Sequence, residues 1–184
     1  MTAIIGMLRG VNVGGHNTIK MDSLRALCES LKLEKPQTYV QSGNVVFATK
    51  EKNLKMLGTK IEDAIEKSHG FRPAVMLRTA AEMREVIARN PFAKRKGLEP
   101  AKLAVIFFGD ELTADQRKQL EAIKVGPEEL KAHSRELYIY FPDGMGRSKL
   151  PAAMERVMKK TGTARNWNTV TKMLEIAEVT GKGA

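Results

Sequence analysis

The segment Arg9-Gly10-Val11-Asn12-Val13-Gly14-Gly15 brings together residue types suited to holding an anion: a guanidinium, an amide side chain and three glycines. Glycine permits positive φ and lets a ligand approach the backbone closely. The segment follows an apolar run, residues 3–8, that reads as a buried strand, and it precedes a helical stripe that begins at Met21. Helix starts offer unpaired N–H groups and positive potential, which favour an anion. The glycine spacing is neither that of a P-loop nor that of a dinucleotide fingerprint. A plain turn would draw on the same residues.

Three other segments carry chemistry of this kind. Gln41-Ser42-Gly43-Asn44 reads as a hairpin turn lined with polar groups. Gly144-Met145-Gly146-Arg147-Ser148-Lys149 lies between a strand and a helix, with two cations and a hydroxyl for an anion. Arg165-Asn166-Trp167-Asn168-Thr169 is expected to open the last helix, with Arg165 and Asn168 as candidates at a cleft. Trp167, the sole tryptophan, is expected to be mostly buried and to pack outside its own helix.

The elements that position these segments follow from periodicity. The first run is a strand. A helix with Met21, Leu24, Leu27, Cys28 and Leu31 on one stripe comes next, and then two strands, Thr38–Gln41 and Asn44–Ala48, joined as a hairpin. A helix carrying Leu54, Leu57, Ile61 and Ile65 ends at Gly70, and Ala74–Arg78 is the fourth strand. Thr79 with Glu82, and Thr113 with Gln116, are capping-box signatures. The second half reads as a strand at 103–108, a helix, a hairpin over 129–141 turning near Ser134-Arg135, a helix from Pro151 and a last helix. The fold class expected is α+β, with two ferredoxin-like units of βαββα type, antiparallel sheets and C-terminal helices. The division expected is residues 1–78, a helix and linker over 79–100, and residues 101–184 with the last helix in the second unit.

In a βαββαβ unit the end of the first strand, the turn between the second and third, and the start of the fourth share one edge of the sheet. That edge would gather Arg9, Asn12, Gly14, Gly15, Gln41, Ser42, Asn44 and Arg72. Such a polar cluster bonds to itself or to a ligand.

Composition narrows the classes. Forty-two per cent apolar residues in 184 suffices for a packed core. No stretch approaches the roughly 20 apolar residues needed to span a bilayer, and no signal peptide is read, so no membrane partner is expected. A single cysteine, Cys28, excludes an internal disulfide, and the expected home is cytoplasmic. The net charge of +10, spread over both halves, favours anionic partners, nucleic acid included. His16, His69 and His133 lack metal-ligand spacing, so no metal and no cofactor is implied. Catalytic constellations are thin: Cys28 sits on an apolar stripe, and no Gly-x-Ser-x-Gly elbow occurs. Tyr138 and Tyr140 share a strand face that would suit base stacking, although packing explains them more simply.

Residues 8–15, residues 39–47, Gly146-Arg147-Ser148-Lys149-Leu150 and Arg165-Asn166-Trp167-Asn168-Thr169 together resemble the hallmark segments of the bacterial domain-of-unknown-function family 1697. The resemblance implies a two-unit α+β fold and a bacterial origin, and it implies no activity. The function expected is a binding module for an anionic, phosphate-bearing ligand or nucleic acid. The alternative is a small enzyme with a polar cleft formed by the Arg9–Gly15 loop and the Gln41–Asn44 turn.

Overall fold

Six consecutive buried residues, Ala3 to Leu8, make β1 (Thr2–Leu8) a strand covered on both faces. The computed structural model, which describes residues 1–159 and 162–182, places it at the centre of a four-stranded antiparallel sheet. The sheet order is β2-β3-β1-β4, with β2 spanning Glu34–Tyr39, β3 Asn44–Thr49 and β4 Val75–Thr79. Two helices, α1 (Met21–Ser30) and α2 (Leu54–His69), complete the βαββαβ pattern.

One sheet face carries Ile4, Leu8, Val45, Phe47 and Leu77. It packs in one cluster with Leu24, Leu27 and Cys28 of α1 and with Leu57, Ile61 and Ile65 of α2. Each such side chain taken from water contributes about 1.5–3 kcal/mol. Asn53 starts α2 by accepting from Met56 N–H, and Gly70, at φ 77°, ends it.

After β4 comes α3 (Ala80–Ala88), opened by the reciprocal bonds of Thr79 and Glu82. The second four-stranded sheet has the order β6-β7-β5-β8. Its strands are β5 (Leu103–Phe108), β6 (Glu129–His133), β7 (Glu136–Tyr140) and β8 (Gly162–Asn166). The helices are α4 (Ala114–Glu121), which has the Thr113–Gln116 capping box, and α5 (Leu150–Val157). Their core holds Ala104, Phe108, Leu120, Leu137, Ile139 and Leu150. The last helix is α6 (Trp167–Lys182). The fold is thus α+β, with two ferredoxin-like units.

The registers of the two sheets correspond position by position. Ile5 pairs with Val46 and Arg78, and Val105 pairs with Tyr138 and Arg165. Arg78 and Arg165 therefore hold the same place in their sheets. Both are buried, and each donates to the carbonyl of the residue before it, at 2.9 and 2.8 Å.

Three elements differ from expectation. Strand β2 begins at Glu34 and not at Thr38; it is an edge strand, where Pro36 and an irregular register between Glu34 and Gln37 are tolerated. Strand β8 takes Arg165 and Asn166, which were expected to open a helix. Its buried positions are Thr163 and Arg165 while Ala164 is exposed, so its polarity is the reverse of what a strand pattern shows. Last, the chain divides into Met1–Glu85 with the chain from Thr171 onward, and Val86–Val170. Most of α6 belongs to the first unit and not the second, because an apolar stripe does not specify which sheet it will cover. There Gln37 donates to Thr180 Oγ1 at 3.2 Å, Arg84 pairs with Glu178 at 2.9 Å, and Gly181 lies against Ala3. Among the described residues no helix is long and apolar enough to cross a membrane.

Candidate functional site

The expected convergence at one edge of the first sheet is present. Leu8 N–H bonds to Gly43 O at 2.8 Å and Arg9 N–H to Ala74 O at 2.9 Å, tying together the end of β1, the β2–β3 turn and the approach to β4. Beyond Arg9 the chain forms a miniature hairpin. Asn12 N–H bonds to Asn17 O at 3.2 Å, and Val13 faces His16. Gly14 and Gly15, at φ 58° and 77°, supply the two left-handed residues that a tight hairpin turn needs. These glycines therefore serve a projecting turn. They do not open onto the start of α1, which lies beyond Thr18, Ile19 and Lys20 and carries Asp22 in its first turn.

The amides of this edge are taken up internally. The Asn12 side chain donates to Ile19 O at 3.0 Å and to Gln41 O at 2.8 Å, and it accepts from Ile19 N–H at 2.9 Å. Asn44 is fully buried and donates to Tyr39 O and Ser42 Oγ, both at 3.0 Å. Arg72 is held by Glu62 at 3.2 Å, by Glu66 at 3.0 Å and by Asp63, carboxylates that push its pKa up. Arg9, Gln41 and Ser42 are exposed, and Arg9 has no side-chain partner among the described residues.

The Gly144–Lys149 loop is built differently. In the first unit the link from β3 to α2 is short, Lys50 to Asn53, while the corresponding link from β7 to α5 runs from Phe141 to Lys149. The longer loop borders a cavity of about 590 Å³, lined also by Lys102 and by Val125 to Glu128. Ser148 organises it: its hydroxyl donates to Glu128 Oε1 and accepts from the N–H of Leu150, the first residue of α5, at 3.1 Å. Glu128 Oε2 is shielded from solvent without a partner among the described residues, in room left by Gly126, where a Cβ would come within 2.5 Å. Arg147 and Lys149 are exposed and unpaired among the described residues; Asp143 is exposed too and lies close enough to Lys102 to interact with its charge. Lys102 is paired with Glu99 at 2.8 Å, a bond that raises its pKa.

Arg165 is no cleft residue. It is 7 % exposed, donates to Thr163 Oγ1 at 2.7 Å, and burial lowers its pKa to about 10, which leaves it charged at neutral pH. Asn168 is exposed, and its N–H bonds to Asn166 Oδ1 at 2.9 Å in the first turn of α6. Trp167 is partly exposed with most of its surface covered, as expected. Tyr138 donates to Val86 O at 2.7 Å, and Tyr140 lies beneath the Arg95 guanidinium at 4.3 Å, so neither ring is available to stack on a base. Cys28 is fully buried and its pKa is raised to about 12 by desolvation. Among the described residues no group of three His, Cys, Asp or Glu side chains is arranged to hold a metal ion.

Sequence reasoning missed Lys102, Glu128 and Asp143. The signal was present, since a hairpin over 129–141 brings its two ends together. Gly126-Pro127-Glu128 and Pro142-Asp143-Gly144 flank those ends.

Comparison with solved structures finds a conserved bacterial protein from Streptococcus pneumoniae with a TM-score of 0.74 and 23% identity. The alignment covers 96% of this chain and 98% of that one, and it shows a shared fold. No curated protein matches the chain. A family model described as a protein of unknown function, DUF1697, matches residues 1–138, which include the Arg9–Gly15 loop and end before Gly144. The chain belongs to the DUF1697 family.

Proposed function

We propose that the protein is a binding module for an anionic, phosphate-bearing ligand, and that the ligand sits in the second unit's cavity beside Arg147 and Lys149. The observation that carries this reading is the pair of unpaired cations on a loop that the sister unit lacks. Two units of the same fold act as mutual controls: what both contain serves the fold, and an elaboration in one alone calls for another reason. The cavity volume lies within the range of roughly 300–1,000 Å³ typical of small-molecule sites. A guanidinium offers a phosphate paired hydrogen bonds, and an ammonium adds a compact charge.

The polar edge of the first unit supports an enzyme less well, because Asn12 and Asn44 are already occupied. Calorimetric titration with inorganic pyrophosphate tests the proposal. Saturable binding should appear and weaken at least tenfold in the double variant Arg147→Ala/Lys149→Ala, with the melting temperature unchanged. Absence of binding to the native protein, or equal binding by the variant, would refute it.

A further inference from the structure

One edge of the first sheet carries far more positive charge than its counterpart in the second. That edge gathers the link from α1 into β2 and the link from β3 into α2, because Glu34 pairs with Ala48 near the end of β3. Lys32, Lys50 and Lys60 border one cavity there, of about 330 Å³. Lys52 follows in the same link, and Lys55 stands in the first turn of α2. Residues 31–35 and 50–57 together hold five lysines against two glutamates. The matching segments of the second unit, 122–130 and 141–153, hold three cations against three acids. The fold is common to both units and so does not demand the difference. We infer that this edge of the first unit is a contact surface for the phosphate backbone of nucleic acid, bound without regard to base sequence. The inference is independent of the cavity in the second unit.

The residue types select the partner. Lys32, Lys50, Lys52 and Lys55 are exposed and have no partner among the described residues. Glu51 is already engaged: it accepts from Asn53 N–H at 2.9 Å and faces Lys60 at 3.9 Å. An ammonium is a compact charge that meets a phosphate without a fixed geometry. These two segments contain no aromatic ring to stack on a base and no arginine to read a base edge with paired hydrogen bonds. Lysines without aromatic or arginine anchors also make a poor centre for a protein interface. Their chemistry suits a dense line of negative charge, and duplex DNA carries one charge about every 1.7 Å.

Fluorescence anisotropy with a labelled, mixed-sequence DNA duplex tests this. Log affinity should fall against log salt with a slope of about −3 to −4, as expected when four lysines each meet a phosphate. Lys52→Gln/Lys55→Gln should weaken binding at least tenfold at low salt and cut that slope by about half, with the melting temperature unchanged. Arg147→Ala/Lys149→Ala removes the same formal charge from the second unit and should weaken duplex binding far less. Equal weakening by the two double variants would make net charge alone responsible and overturn the inference. No binding of the duplex, an unchanged slope in Lys52→Gln/Lys55→Gln, or tighter binding of a single strand or of polyglutamate would overturn it as well. Each of these results leaves pyrophosphate binding in the cavity to be decided by its own titration.

Discussion

The side-chain amide of Asn12 donates to the backbone oxygen of Gln41 at 2.8 Å, which joins the miniature hairpin after β1 to the turn between β2 and β3. The second unit makes the corresponding tie from backbone, Leu112 N–H to Ser134 O at 2.8 Å, beside a longer side-chain bond from Ser134 Oγ to Glu111 Oε1 at 3.5 Å. A tie present in both units belongs to the fold. Asn12 is accordingly a loop organiser, and its removal should read out as lost stability.

Asn12→Ala leaves the N–H of buried Ile19 and two carbonyls without their partner. It should destabilise the protein by about 1–3 kcal/mol. Asn12→Asp should be no milder, since its carboxylate would face the oxygens of Ile19 and Gln41. Urea unfolding measures the loss, and hydrogen exchange at the Ile19 amide should accelerate in both variants. Unchanged exchange there would mean that the loop is held by other contacts.

Gly43 combines φ 77° with a position where a Cβ would come within 2.9 Å of Leu8 Cβ. Both the backbone strain and the overlap act against any side chain. Gly43→Ala should cost about 1–3 kcal/mol. Gly15→Ala, at the same φ but with nothing within 4 Å, should cost less. Thermal melts of the two variants side by side check the order.

Ser148→Ala takes from Leu150 N–H its acceptor and from Glu128 Oε1 its donor. A loss of about 0.5–1.5 kcal/mol is expected from the bond to Leu150 alone. Glu128→Gln in the same background should recover part of the loss by removing the buried charge. A double-mutant cycle by chemical denaturation gives the coupling, and strict additivity would show the two side chains to be independent.

Burial raises the Cys28 thiol from 9.0 to about 12. The neutral thiol is the form the folded state favours. Its contribution to stability is fully present below pH 9 and is lost as pH rises from about 9 to about 12. Native protein at pH 8 should react negligibly with a thiol reagent, and unfolded protein promptly. The fall in stability above pH 9 should be shallower in Cys28→Ala. Rapid labelling of the native state would contradict the buried assignment.

Much of this fold was legible because local rules and packing agree. Gly70 and the Thr79 and Thr113 caps sit where turn chemistry puts them, and Leu24, Ile61 and Phe47 follow helical or strand spacing into the core. Strand β8 was not legible, since its buried face consists of Thr163 and Arg165. The polar edge was correctly brought together by topology. What periodicity does not carry is which way an amide points, and Asn12 and Asn44 turn inward. The charged loop after β7 was visible as a motif. Its partners Lys102, Glu128 and Asp143 become neighbours only through the hairpin between them.

The first unit is assembled from two separated stretches of chain, while Val86–Val170 is continuous. During synthesis, at about 5–20 residues per second, the continuous unit emerges whole before most of α6 exists. Until then Ala3, Gln37 and Arg84 lack the helix that will meet them. The strands of the first unit, made before the second unit, are thus finished after it. A chain halted near Val170 should display a half-covered sheet, open to chaperones and to other nascent chains, alongside a second unit that has already folded.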